Sequence, residues 1–178
     1  MKKVILDTNI YGRVLELKDY EFVLSQKSKV MVYGSVVIRK ELRETDAGAM
    51  IDYEERQRKL RILLLTLYDS LVGEKNLGVT PAIERLAEQY FSVYKKLGGK
   101  ASFPKIIEDF TIMATATLHN LELVYSEDKG TMRSEEARKA YLLVNDLHNL
   151  PTPLFRSYEE FKQELKKSER AGEKGGKG

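Results

Sequence analysis

The chain has 178 residues, of which 42% are hydrophobic and 32% charged, a composition typical of a globular protein with one core. It contains no cysteine, which excludes disulfide bonds and thiolate metal sites. Segment 166–178 has five basic and two acidic residues and so accounts for the whole net charge of +3, which means that bulk charge elsewhere does not indicate a polyanionic partner.

These properties predict a single domain over 1–165 and a charged, glycine-rich, disordered tail over 166–178. A transient electrostatic contact of this tail with nucleic acid is a secondary interpretation. No apolar run has the length of a membrane span, and residues 1–6 are too short for a signal peptide. We therefore expect a cytoplasmic protein with no membrane partner.

The first predicted element is an apolar strand over 4–6 that ends at Asp7. Its residues do not alternate with polar ones, which is typical of a strand buried on both faces of a parallel sheet. An acid at the carboxyl end of such a strand lies where α/β proteins bind ligands. From this segment alone, capping of the next helix by Asp7 or Asn9 explains the residues equally well.

Helices and short strands alternate along the rest of the chain. Helices are predicted over 11–26, 36–42, 47–72, 81–97, 104–119 and 134–147 and after a capping box at 157–160, and strands over 29–33, 121–126 and 152–155. Section 47–100 is thus expected to be a long helical region. The alternation predicts an α/β fold, a three-layer α/β/α sandwich with a central, mainly parallel sheet of four to five strands.

The helix predicted over 104–119 carries no charge between 110 and 118 and has apolar or small residues on every face, so it should be central and buried. Asp109 then lies at the rim of the core. An unpaired carboxylate loses roughly several kcal/mol in such a place, so Asp109 is expected to have a partner. Glu108 points about 100° away around the helix and is the less favoured ligand.

Four acids fall where a parallel sheet would bring them to one edge. Asp7 and Asp128 directly follow predicted strands, and Glu41 and Asp109 lie in helices that would pack beside those strands. Clustered carboxylates resist joint ionisation and therefore require a cation. Without cysteine, and with only two histidines, the site is best suited to Mg²⁺ or Mn²⁺. Such ions activate water and stabilise charge on a phosphodiester, so the residues favour metal-dependent phosphoester hydrolysis.

The segments that carry these acids resemble the successive motifs of PIN-domain nucleases, and among them the VapC-type toxin endoribonucleases are most similar in size and architecture. The matching segments are Asp7-Thr8-Asn9, Ile38-Arg39-Lys40-Glu41-Leu42, the run 109–116 and Ser126-Glu127-Asp128, and the resemblance covers about residues 3–155. It implies a PIN-like sheet with the acids at its carboxyl edge and divalent-metal-dependent cleavage of single-stranded or structured RNA. It also implies an antitoxin partner and a homodimer.

By the same resemblance, Asp7, Glu41, Asp109 and Asp128 are the catalytic and metal-binding residues. Asn9 assists by hydrogen bonding, Ser126 stands where the family often has threonine, and Lys129 is a substrate or supporting residue. The chain departs from the family in two ways. The span from Glu41 to Asp109 is longer, which suggests an insertion, a dimer surface or a substrate lid. Lys129, Gly130 and Thr131 also follow Asp128 where a further acid is common, so one metal or two remains open.

Several other residues have less specific patterns. Candidates for phosphate binding are Lys129, Arg133, Arg39, Lys40 and Arg43, although each is more often a solvated surface charge. His119 and His148 lack metal-ligand spacing, and the tyrosines are dispersed as in core packing rather than as a base-stacking platform.

Three alternatives to a toxin nuclease stay open. One is a catalytically weak PIN-like module that binds RNA or protein, and another is a nuclease of RNA processing or DNA repair. The third is an aspartate-nucleophile phosphatase of the haloacid dehalogenase type, which also begins with a strand and an aspartate. That family wants a second acid two positions later, where this chain has Asn9.

Overall fold

A computed structural model describes residues 1–173, with side chains through Lys167. The strands are β1 (Lys2–Leu6), β2 (Val30–Ser35), β3 (Met50–Tyr53), β4 (Arg56–Lys59), β5 (Asn76–Leu77), β6 (Leu123–Tyr125) and β7 (Leu154–Arg156). Five of them form a parallel sheet in the order β5-β2-β1-β6-β7. The predicted parallel sheet is therefore confirmed, although β5 was not recognised from the sequence.

Strand β1 lies at the centre of this sheet. Its residues Val4, Ile5 and Leu6 are fully buried, and they pair with β2 on one side and β6 on the other. These residues do not alternate with polar ones because helices cover both faces of the strand. The central position of β1 places the residue that follows it, Asp7, in the middle of the carboxyl edge.

Eight helices cover the sheet in the part of the chain that the structure describes. They are α1 (Thr8–Glu16), α2 (Tyr20–Ser25), α3 (Val36–Glu44), α4 (Leu60–Val72), α5 (Pro81–Lys96), α6 (Phe103–Leu118), α7 (Glu135–Leu147) and α8 (Tyr158–Glu173). Helix α5 packs against α6 and α7, whereas α4 packs against α1, α2 and α3. Helix α6 is buried on nearly all sides from Phe110 to Thr117, as its uncharged sequence predicts. None of the described helices combines the length and apolar character needed to cross a membrane.

The helix predicted over 47–72 was wrong in its first half. Residues 50–59 form an antiparallel hairpin of β3 and β4, and helix α4 begins only at Leu60. Ile51 and Tyr53, two positions apart, are the half-buried residues of β3, so the period is that of a strand. The long helical section over 47–100 thus contains two helices and a hairpin.

The helix predicted over 11–26 was also too long. Helix α1 begins at Thr8 and ends near Leu17, where Lys18 adopts a left-handed φ of 56°, and α2 starts at Tyr20. A left-handed residue cannot continue a right-handed helix, so the chain turns at this point. The helix starts that rest on capping residues were predicted better, with Ser35, Thr80 and Ser134 each accepting a backbone hydrogen bond.

The final helix begins with the predicted capping box. The Ser157 N–H donates to Glu160 Oε2 at 2.8 Å, and the Glu160 N–H donates to Ser157 Oγ at 3.3 Å. Helix α8 continues to Glu173, past the boundary predicted at 165, and residues 174–178 of the predicted tail lie outside the described residues.

Gly34 in β2 offers a test of this packing. A Cβ at this position would lie 2.0 Å from the Tyr68 hydroxyl oxygen and 2.8 Å from Val72 Cγ1. Tyr68 has little freedom to move, because its hydroxyl lies 3.0 Å from the Ser35 carbonyl oxygen and 2.7 Å from Asn76 Oδ1. We expect Gly34→Ala to lower the free energy of unfolding by about 3 kcal/mol, measured by urea denaturation.

The matched control is Gly12→Ala in α1, where a Cβ would meet nothing within 4 Å. This substitution should be neutral or stabilise by up to about 1 kcal/mol, because alanine is the better helix former. Equal stability of the two variants would contradict the packing of Tyr68 against Gly34.

Candidate active site

Asp7 combines the two roles that its sequence context left open. Its backbone N–H donates to the Tyr125 carbonyl oxygen at 2.9 Å, which fixes it at the carboxyl edge between β1 and β6. Its carboxylate also caps α1, with Oδ1 accepting the Thr8 N–H at 2.8 Å. The other oxygen, Oδ2, accepts from Asn9 Nδ2 at 2.5 Å and from Ser126 Oγ at 2.7 Å. This buried carboxylate is thus held in one orientation by three donors.

Asn9 and Ser126 connect the end of β1 to the end of β6. Ser126 Oγ accepts the Asp128 N–H at 3.0 Å while it donates to Asp7. Asn9 Oδ1 accepts the Glu127 N–H at 3.0 Å while its amide donates to Asp7. Both residues therefore hydrogen-bond Asp7 and the loop that carries Asp128.

Asp109 and Asp128 meet through the hydroxyl of Thr131. Thr131 Oγ1 lies 2.6 Å from Asp109 Oδ2 and also hydrogen-bonds Asp128 Oδ2. Asp128 Oδ1 accepts the N–H groups of Gly130 at 2.8 Å and Thr131 at 2.9 Å. One hydroxyl can donate only one hydrogen bond. Both contacts of Thr131 are therefore hydrogen bonds when Thr131 donates to Asp128 and a protonated Asp109 donates to Thr131.

Glu41, in α3, reaches the same edge through a different hydroxyl. Thr8 Oγ1 donates to Glu41 Oε2, so Thr8 bridges the end of β1 to α3. Glu41 also lies within hydrogen-bonding reach of Glu108, whose Oε1 accepts from Lys40 Nζ at 2.9 Å. The four predicted acids therefore share one edge of the sheet, as expected.

Sequence reasoning missed three members of this neighbourhood. Glu108 was disfavoured because it points away from Asp109, but that direction leads it to Glu41. Thr8 and Thr131 gave no signal, because a hydroxyl that bridges two carboxylates depends on the tertiary fold. Within the motif run Asp7-Thr8-Asn9, no catalytic or metal-binding role was predicted for Thr8.

The acids differ in charge state because their surroundings differ. Burial, reinforced by neighbouring acids, raises the pKa of Glu41 to about 7 and that of Asp109 to about 7. Burial likewise raises the pKa of Asp7, against its hydrogen bonds from Ser126, Thr8 and Asn9. Burial also acts on Asp128, but hydrogen bonds from Thr131 and the following backbone hold its pKa below the usual value. Asp128 is thus the most firmly ionised of the four.

The donor set suits a hard cation. All four side chains offer carboxylate oxygens, and the mutual repulsion that contributes to their pKa values would be relieved by a positive ion. Within residues 1–173, no three acidic or histidine side chains converge tightly enough to form a preformed metal cluster. The bridging hydroxyls of Thr8 and Thr131 occupy acceptor positions on three of the carboxylates.

Three of the five basic candidates have partners inside the protein. Arg39 forms a two-pronged ion pair with Asp69, Lys40 binds Glu108, and Arg133 Nη1 donates to the Ser126 carbonyl oxygen at 2.6 Å. Lys129 and Arg43 are exposed, and Lys129 directly follows Asp128. His148 lies at the surface with its Nε2 2.7 Å from Gln89 Oε1, and His119 caps the end of α6, so neither belongs to this site.

The sheet order and the acids at its carboxyl edge define a PIN-like α/β fold, and comparison with solved structures confirms it. The chain is similar to DNA-bound VapBC from Salmonella typhimurium, with a TM-score of 0.54 and 14% identity over 89% of this chain and 99% of that chain. It is similar to VapBC2 from Rickettsia felis bound to a DNA fragment from their promoter, with a TM-score of 0.53 and 10% identity over 87% and 98%.

A third similar structure is FitAcB from Neisseria gonorrhoeae, with a TM-score of 0.50 and 21% identity over 86% of this chain and 96% of that chain. This chain thus matches nearly the full length of the similar chain in each of these structures. No protein-family model and no curated protein matches the sequence. The similarity to these structures therefore shows the fold of this chain.

Proposed function

We propose that this protein is a divalent-metal-dependent endoribonuclease and acts as the toxin of a toxin-antitoxin pair. The observation that carries the proposal is the cluster of Asp7, Glu41, Asp109 and Asp128 at the carboxyl edge of a parallel sheet. These four residues would hold Mg²⁺ or Mn²⁺. When bound, the ion would supply activation of water and stabilisation of the charge that develops on the phosphodiester.

The side chains of the site have different roles in this reaction. Hydrogen bonds from Asn9 and Ser126 orient Asp7, and Asp128 is kept ionised by its backbone donors. In the metal-free protein the pKa values of Glu41 and Asp109 are about 7, and a bound cation would favour their ionised forms, either of which can accept a proton from water. The water oxygen attacks phosphorus, the bond from phosphorus to the leaving oxygen breaks, and the water proton goes to one of these carboxylates.

The proposal includes an RNA substrate and a protein partner. Exposed Lys129, next to Asp128, is placed to neutralise a substrate phosphate. VapBC and FitAcB, which share the fold, support an antitoxin partner for this chain, and two of the named structures hold DNA as well. Assembly as a homodimer is part of the proposal.

The test is cleavage of single-stranded RNA by wild type and Asp7→Asn, each with Mn²⁺ and with EDTA. We expect metal-dependent cleavage by wild type and a loss of about 1,000-fold in Asp7→Asn, since the variant removes a charge from the centre of the cluster. Asp146→Asn, at an exposed acid of α7, should cleave like wild type.

Equal cleavage by wild type and Asp7→Asn would contradict the proposal. Binding of RNA without cleavage by either protein would favour the non-catalytic PIN-like module. Cleavage of DNA in place of RNA would favour a repair nuclease.

A further inference from the structure

The hairpin of β3 and β4, with the end of α3 and the start of α4, carries a group of basic residues that takes no part in the carboxylate cluster. This group is called the basic strip and consists of Arg43, Arg56, Arg58, Lys59 and Arg61. All of its members except the half-buried Arg61 are exposed. The strip lies in the section between Glu41 and Asp109, where the chain is longer than the motif resemblance implies.

Packing does not explain the sequence of β4. All four of its residues, from Arg56 to Lys59, are exposed, and the hairpin is attached to the body through β3 instead. Tyr53 contacts Tyr20 edge to face with ring centroids 5.3 Å apart, and its hydroxyl donates to Glu21 at 2.8 Å. A two-stranded hairpin is marginal without such anchors, so an entirely polar outer strand weakens rather than strengthens it.

The charges of the basic strip are not neutralised inside the protein. Within the described side chains, none of its five members forms an ion pair. Nearby acids have other partners, with Asp52 accepting from Gln57, Asp69 from Arg39 and Glu21 from Tyr53. Glu54 and Glu55 form the hairpin turn directly before Arg56, so the basic strip ends at Arg56.

The end of the strip nearest the carboxylate cluster lies where the end of α3 meets the start of α4. Arg61 Nη1 donates to the Arg43 carbonyl oxygen at 3.4 Å, which joins the start of α4 to the end of α3. Arg43 comes two residues after Glu41 in the same helix, so the two side chains project from nearly opposite faces. The strip therefore starts about one helix diameter, roughly 10 Å, from the cluster.

We propose that the basic strip binds the phosphodiester backbone of a single-stranded nucleic acid. Arg56 and Arg58 share one face of β4 about 7 Å apart, and a guanidinium group can bind a phosphate through two parallel hydrogen bonds. The strip contains no aromatic residue on which bases could stack, so it reads charge and not sequence. Naming RNA as this strand rests on the proposed function.

The experiment measures binding in the full-length Asp7→Asn protein with EDTA present, so that strands are not cut. The probes are single-stranded RNA and DNA of about 20 nucleotides and the same sequence, followed by fluorescence anisotropy over a series of salt concentrations. The triple variant Arg56→Gln, Arg58→Gln and Lys59→Gln should reduce the slope of log K against log salt by about 2, since each contact to a single strand contributes about 0.7.

The control removes the same charge from exposed positions on and after α5, in Arg85→Gln, Lys96→Gln and Lys100→Gln. It should keep the parental slope, and melting temperatures of both triple variants should equal that of the parent. Equal losses on RNA and DNA indicate phosphate contacts alone, and a loss confined to one identifies that nucleic acid as the ligand.

An unchanged slope in the strip variant, or equal losses in the strip and control variants, would overturn the proposal. The two proposals fail separately. If wild type does not cleave RNA but the strip variant loses binding, the nuclease assignment falls and the strip stands. If wild type cleaves RNA and the strip variant binds like its parent, only the strip assignment falls.

Discussion

Asp109→Asn is expected to stabilise the metal-free protein at pH 8 while it lowers RNA cleavage by about 1,000-fold. The stabilisation arises because burial and neighbouring acids raise the pKa of Asp109 from 3.8 to about 7, so the ionised form is unfavourable in the folded state. The full shift corresponds to about 4 kcal/mol, and we expect about half of this at a position that solvent partly screens. Asparagine has an amide N–H that can donate to Thr131 Oγ1, as the protonated carboxyl does.

Thermal melts in EDTA at pH 8 should show a rise of roughly 4–8 °C in melting temperature, and RNA cleavage with Mn²⁺ should be nearly lost. Asp146→Asn is the control and should change neither quantity. A lower melting temperature in Asp109→Asn would show that the carboxylate stabilises the fold, and full cleavage would remove Asp109 from the site. The opposite signs of the two effects separate a functional charge from a structural one.

The metal-free wild type is expected to lose stability as pH rises from 5 to 8. Glu41 and Asp109 have pKa values of about 7 in the folded state, against ordinary values of 4.5 and 3.8. Between these values the folded state binds more protons than the unfolded state, so the free energy of unfolding falls as pH increases. The raised pKa of Asp7 acts in the same direction, whereas the lowered pKa of Asp128 matters only in more acidic solution.

The expected loss is about 3 kcal/mol, which corresponds to a melting temperature roughly 6–12 °C lower at pH 8 than at pH 5. Melts in EDTA measure it, and saturating Mn²⁺ at pH 8 should restore most of the difference, because a ligand of the folded state stabilises that state. The double variant Glu41→Gln with Asp109→Asn should have a much flatter profile. Stability that increases with pH in metal-free wild type would contradict these pKa shifts.

Local signals in the sequence predicted the parts of the fold that local interactions determine. The capping residues Ser35, Thr80 and Ser134 marked helix starts, because a side chain that caps acts within its own turn. The apolar run before Asp7 and the uncharged stretch after Asp109 predicted burial, since no polar face was present to meet water.

Features that depend on contacts distant in sequence could not be predicted in this way. The four residues of β4 are all polar, so they carry no hydrophobic period, and the hairpin is anchored by the distant contacts of Tyr53 with Tyr20 and Glu21. The Thr131 bridge between two acids depends on how α6 meets the loop after β6. Grouping the four acids was possible because each lies in a motif, but their different charge states follow from burial in the folded molecule.

The hydrogen bond between Ser126 and Asp7 joins residues 119 positions apart in the chain. A ribosome that has released β1 must therefore synthesise more than two thirds of the polypeptide before the first acid can meet its neighbours. The loop that closes is long, and its closure waits for β6 to dock beside β1. A nascent or truncated chain that lacks β6 therefore has no assembled carboxylate cluster.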